Sequence, residues 1–148
     1  MSDADRVRAA AEAARRQLVD DPLALRAPLA DPLPVLTPAD DLDSWFVALT
    51  AEDRIVGFFQ LEPDLQVHRY SSFQSTRGSV DGCPPASAWL DRVEIGERAR
   101  ASAGGDQELG EPIFSYDGSR DRLAWRVPVL GGPGAVFVAG EHVYLKGG

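Results

Sequence analysis

The sequence predicts an α+β fold made of two similar helix-plus-antiparallel-sheet units, packed as a pseudo-symmetric tandem. Three observations point to it. "WFVALTAEDRIVGFFQ" from Trp45 and "WRVPVLGGPGAVFVAG" from Trp125 each place apolar residues two and four positions after a tryptophan. In both, a five-residue turn separates this run from a second apolar run that begins ten residues after the tryptophan. A helical pattern and a short extended piece precede each ribbon, in the same order.

The first helix rests on Val7, Ala11, Ala14 and Leu18, whose spacings of four, three and four residues put them on one face. Ser2 and Asp5 form an N-terminal capping pair. Pro22 stops the helix, because its ring cannot continue the hydrogen-bond ladder and disfavours helix at Asp21. Five prolines between Pro22 and Pro38 predict an irregular connector, with Pro34-Val35-Leu36 extended inside it. Trp45, Val47 and Leu49 then share one strand face, with Phe46 and Ala48 on the other. Both faces are apolar, so this strand is central in its sheet. Turns at 51–54 and 62–64 lead into Ile55–Leu61 and Val67–Phe73, a three-strand antiparallel meander.

"STRGSVDGCPP" shifts the composition to Ser, Gly and Pro and divides the chain. This gives a first unit at 1–74, a linker at 75–85 and a second unit at 86–148. "SAWLDRVEIGERARASA" predicts one helix with Trp89 and Val93 on a shared face, although Gly96 in its interior costs about 1 kcal/mol relative to alanine. Pro112-Ile113-Phe114, Trp125–Val127, Ala135–Ala139 and His142–Leu145 repeat the strands of the first unit. Pro128 lacks a donor and belongs at an edge or a bulge.

Composition narrows the function classes. With 44% hydrophobic and 26% charged residues the 148-residue chain is globular. Its net charge of −8 opposes binding to phosphate backbones or anionic membranes, so neither nucleic acid nor a membrane is expected as a partner. Residues 1–74 hold 13 acids against 7 basic residues, and residues 75–148 hold 10 against 8, so the first half is the more acidic. A basic protein or a cationic small molecule suits such a surface. The single cysteine allows no internal disulfide. No secretory pattern opens the sequence and no apolar run is long enough to span a bilayer, so a cytoplasmic location is expected.

Catalytic signatures are missing. His68 and His142 lie in strands without further ligands at metal spacing, so no metal and no cofactor are expected. Cys83 stands between Gly82 and Pro84 with no local basic residue to lower its pKa. Asp40, Asp41 and Asp43 lack the glycine and distal glutamate of a calcium loop and read as turn or capping carboxylates. "GGPG" at 131–134 joins two strands, whereas a phosphate cradle opens a helix, so it reads as a hairpin tip. No G-x-S-x-G elbow occurs. Arg120, Arg122 and Arg126 form a basic patch that Asp117 and Asp121 largely neutralise. The terminal Gly147-Gly148 resembles the tail of ubiquitin-like sulfur carriers, but a frayed end accounts for it as well.

At "LGEPIFSYDGSRDRLAWRVPV" the chain resembles the PepSY family. Leu109, Pro112, Tyr116, Asp117, Leu123, Trp125, Val127, Val136, Phe137 and Val138 carry the resemblance, which extends more loosely to 44–73. It implies a cystatin-like helix packed across a curved antiparallel sheet, and a role in inhibiting or regulating peptidases. The expected function is a non-catalytic protein-binding, inhibitory or regulatory module acting through a sheet face, an edge strand or hairpin tips. Phe58, Phe59, Tyr70 and Tyr116 are its expected exposed anchors, since aromatics dominate interface energetics. The partner would be another protein, such as a peptidase or a biosynthetic enzyme, and a homodimer through sheet edges is open. Alternatives are a small-ligand-binding protein or enzyme with a pocket between helix and sheet, and a cytosolic immunity protein against a basic toxin.

Overall fold

The computed structural model describes residues 2–147. It is α+β, with two four-stranded antiparallel sheets ordered β1-β2-β3-β4 and β5-β6-β7-β8. The chain divides into two compact units. The first holds the residues up to Val35 together with Leu42–Ala86, and the second holds Leu36–Asp41 and the residues from Ser87 onward. The Ser/Gly/Pro-rich stretch at 75–85 thus belongs to the first unit. No helix among the described residues is long and apolar enough to cross a membrane.

In the first unit α1 (Asp3–Leu18) starts at Ser2, whose hydroxyl accepts from the backbone N–H of Asp5. Val7, Ala11 and Ala14 are buried as their spacing requires, but Leu18 is 53% exposed. Arg15 is buried instead. Its guanidinium donates to the carbonyls of Ala24 (3.3 Å) and Ala27 (2.5 Å) and pairs with Glu12. Those carbonyls close α2 (Pro22–Arg26), a helix inside the stretch expected to be irregular. Pro22 does end α1, yet it also opens α2. Asp21 caps the N–H groups of Leu23 and Ala24, and Pro22 occupies the first turn, where its missing donor costs nothing.

The sheet strands are β1 (Leu33–Leu36), β2 (Leu42–Ala51), β3 (Arg54–Leu61) and β4 (Val67–Ser72). Val47, Leu49, Val56, Phe59 and Leu61 pack with Val7, Ala11 and Ala14 in one core. The opposite face carries Phe46 and Phe58, with ring centroids 4.8 Å apart, and a buried track in which Gln60 donates to Ser44 and Arg69 donates to Gln60. Both faces of β2 are therefore buried, as its two-sided apolar pattern predicts. Gly57 lets the ring of Tyr70 cross the sheet, because a Cβ there would lie 2.8 Å from the Tyr70 hydroxyl and 2.9 Å from the Ser71 carbonyl.

The second unit holds α3 (Ser87–Leu90), α4 (Arg92–Ala103), β5 (Ile113–Tyr116), β6 (Leu123–Pro128), β7 (Ala135–Ala139) and β8 (His142–Lys146). The single expected helix is broken at Asp91, whose carboxylate caps Val93 and Glu94. Trp89 and Val93 consequently share no buried face. Val93 is 69% exposed, and α4 packs through Ile95, Gly96 and Ala99. Trp125 is buried against this helical side, and its indole N–H donates to the carbonyl of Trp89 at 2.7 Å. Trp89 in turn lies on Gly140, whose positive φ makes the β7–β8 turn.

The repeat is one of element order, not of register. Trp45 pairs with Leu61 and Trp125 pairs with Val138, which are 16 and 13 residues further on. The difference lies in the turns. β2 continues through Ala51, and Glu52-Asp53 alone make a two-residue turn in which both residues have positive φ. Between β6 and β7 the chain spends six residues, Val129–Gly134, so the equal ten-residue spacing hides unequal hairpins.

Candidate functional site

The second sheet brings together the groups that its sequence spacing conceals. Asp117 follows β5 directly, in a turn where its N–H donates to Arg122 and Gly118 takes positive φ. Its carboxylate is 4% exposed and points across the sheet. One oxygen accepts from the Tyr144 hydroxyl at 2.6 Å, and the other from the Lys146 ammonium at 2.5 Å. Arg122 lies 3.6 Å away with its side chain 67% exposed.

Tyr144 and Lys146 belong to β8, at the opposite edge from β5. In a flat sheet these strands would stand about 14 Å apart. Hydrogen bonding between them requires the sheet to curl toward the face that carries Ala124, Ala135, Phe137 and Tyr144. The alanines leave room for the curl, and Phe137 stacks on Tyr144 with centroids 5.7 Å apart. Leu36–Asp41 covers another part of this face, where Ser115 donates to the Leu36 carbonyl and Arg126 pairs with Asp40 at 2.7 Å.

Beside the Asp117 clasp a cleft of about 370 Å³ remains, lined by Arg122, Leu123, Ala124, Ala139, His142 and Tyr144. Ala139 pairs with His142 and packs against the cluster that holds Ala124, so the cleft is the space that small side chains leave between larger neighbours. The electrostatics follow from the clasp. The bonds from Lys146 and Tyr144, reinforced by the charges of Lys146 and Arg122, overcome the effect of burial and hold the Asp117 carboxyl below its ordinary value. Burial, and then the bond to Asp117 and its charge, push the Tyr144 phenol up to about 12. Perturbed titratable groups beside a cleft are a physical marker of functional sites.

A second cleft, of about 250 Å³, lies beside β4 among Leu18, Asp20, Asp21, Tyr70, Gln74 and Arg77. Its acids are engaged in the fold. Asp20 pairs with Arg77 at 3.6 Å, while Asp21 caps α2 and accepts from the N–H of Gly78 at 2.6 Å. Burial raises the Asp21 carboxyl, but the bonds from Ala24, Gly78, Gln74 and Leu23 outweigh it and leave the carboxyl below its ordinary value. Burial pushes the Tyr70 phenol up.

The aromatic anchors read from the sequence fall in different environments. Phe59 is fully buried and Phe58 is 6% exposed, so neither offers surface. β3 runs between two strands, and both of its faces are covered. Tyr70 and Tyr116 are half-buried, on β4 and β5. His68 is the extra residue where the β3–β4 register shifts, and His142 lines the cleft of the second unit. No cluster that could hold a metal ion occurs among the described residues. Asp41 closes a turn by donating its N–H to the Thr37 hydroxyl, and Asp43 accepts from Ser44. Cys83 is buried. Arg54, distant in sequence, donates to its carbonyl, yet burial dominates and pushes the thiol up. Gly148, the last residue of the terminal Gly-Gly, lies outside the described residues.

By sequence pattern Asp117 is a mere neutraliser of arginines, and neither Tyr144 nor Lys146 stands out. The signal that could have found them is the alternation of His142, Tyr144 and Lys146 onto one strand face, with an Asp-Gly turn 27 residues before Tyr144. Comparison of the chain with protein-family models, with curated proteins and with solved structures finds no match.

Proposed function

We propose that the chain is a non-catalytic protein-binding module of regulatory or inhibitory kind, which receives an extended segment of a partner along the β8 edge. One observation carries this reading. β8 pairs with β7 in unbroken register from His142 to Lys146, no strand among the described residues lies on its other side, and Leu145 is 53% exposed. The other sheet ends are less open. β1 contains Pro34, β5 follows Pro112, and β4 is interrupted by the register shift at His68. Pro and bulges are the usual means of blunting an edge. Strand addition at β8 would supply main-chain hydrogen bonds, with alternate side chains left to select the partner.

The resemblance of 109–145 to the PepSY family supports the regulatory part of the reading. In that case the two helix-plus-sheet units are cystatin-like and the partner is a peptidase or a biosynthetic enzyme. A second copy of the chain is the competing occupant of the edge. The cleft favours a second reading, a small-ligand-binding protein, because its volume falls within the range of small-molecule sites.

Immobilised chain exposed to a lysate of the native host tests the first reading. It is expected to retain specific proteins that Leu145→Lys releases, since lysine deters edge pairing. Val93→Lys, at a still more exposed apolar residue on α4, should release nothing. Retention indifferent to Leu145→Lys, or no specific protein retained, contradicts the reading.

A further inference from the structure

We infer that the cleft beside the Asp117 clasp binds a carboxylate attached to an apolar body. The sign of the ligand's charge follows from which groups are already engaged. The buried acid beside the cleft, Asp117, already accepts from the Tyr144 hydroxyl on one oxygen and from the Lys146 ammonium on the other. An incoming cation would have to reach a carboxylate that is only 4% exposed, and it would meet the charges of Arg122 and Lys146 on the way. Arg122 is different. It sits 3.6 Å from Asp117, beyond hydrogen-bond length, and its guanidinium is largely exposed on the cleft wall. Its fork of donors is therefore open to a second carboxylate, the anion whose planar geometry it matches.

His142 faces the same space from β8 and adds a further ring-nitrogen contact. Asp121 and Glu141, both exposed, adjoin Arg122 and His142 in sequence and add negative charge that disfavours ligands carrying more than one negative charge. Below the rim the lining turns apolar, with Leu123, Ala124, Ala139 and the ring of Tyr144. A single carboxylate held at Arg122 would lay an aromatic or branched hydrocarbon over the two alanines. Two sources share this chemistry, a small aromatic acid and the C-terminal residue of a peptide chain. The inference goes beyond strand addition, because it concerns side chains and not the backbone edge of β8, and either can fail alone.

Titration of the full chain, followed through its backbone amide resonances, provides the test. The probes are 4-phenylbutyrate, its neutral amide and 4-phenylbutylamine. The carboxylate is expected to shift Ala124, Ala139 and His142 in a saturable manner, and the amide to bind about tenfold more weakly, the worth of one charge-assisted bond. Arg122→Gln, a change at an exposed side chain, should bring the carboxylate down to the level of the amide. Two peptides ending in phenylalanine, one with a free and one with an amidated C-terminus, identify the source. A free end that binds more tightly than 4-phenylbutyrate assigns the cleft to a partner's chain terminus, and one that binds more weakly assigns it to a small acid. The inference is overturned if the amine equals the carboxylate, if Arg122→Gln changes nothing, or if no saturable shift appears in the cleft.

Discussion

At the scale of single residues, Asp117 and Tyr144 oppose each other across one hydrogen bond, and their titrations oppose each other too. The carboxyl is held below 3.8 in the fold and the phenol near 12, against 10 in a free chain. The Asp117 contribution to stability is complete above its unfolded value of about 4, and it is lost as pH falls through the lower folded value. The Tyr144 contribution is complete below 10 and is lost as pH rises through 12. The clasp therefore stabilises the fold evenly from about pH 4 to 10 and weakens at both ends. Asp117→Asn is expected to cost about 1–3 kcal/mol at neutral pH, the range for a buried hydrogen-bonded group left with a poorer partner. It should also return one tyrosine absorbance titration toward 10. Urea unfolding across pH and the ultraviolet titration measure both effects. A variant with unchanged acid and alkaline limbs contradicts the clasp.

Elements show how far local pattern reaches. α1 was legible because Val7, Ala11 and Ala14 repeat at helical spacing. Leu18 departs from that pattern because Arg15, with a long stem and five donors, is the residue of the last turn that reaches the carbonyls of Ala24 and Ala27 at the end of α2. The break at Asp91 was likewise hidden. A residue that reads as a polar helix position is the N-cap of a second helix, and only φ and ψ distinguish the two. The β2–β3 hairpin is where turn chemistry and sequence disagree most. Glu52 and Asp53 both take positive φ, a conformation that costs a side chain such as glutamate about 1 kcal/mol or more and that aspartate tolerates better. An asparagine-glycine pair suits a two-residue turn of this hand, so Glu52→Asn combined with Asp53→Gly should raise stability by about 1 kcal/mol. A thermal melt of that double variant checks it, and a lowered Tm would mean that the turn geometry is wrong.

For the whole molecule, the sequence disclosed two helix-plus-sheet units through the order of their elements. It did not disclose the site. The reason is physical. Asp117, Arg122, Tyr144 and Lys146 come from a turn and a strand at opposite edges of one sheet, and only the curl of that sheet unites them. No local periodicity encodes a curl, whereas small residues on one face permit it, and alanines at 124, 135 and 139 look ordinary in a strand sequence. The aromatic rule failed for a related cause. Phe58 and Phe59 belong to a central strand covered on both faces, so their size serves the core.

Hydrogen–deuterium exchange on the chain, alone and with the partner that it retains from its host, tests the proposed use of this fold most directly. If β8 is the receiving edge, bound partner should slow exchange at the amides of His142–Lys146 while α1 and α4 exchange as before. Protection confined to the first unit, with the β8 amides exchanging at the rate of the free chain, would contradict it.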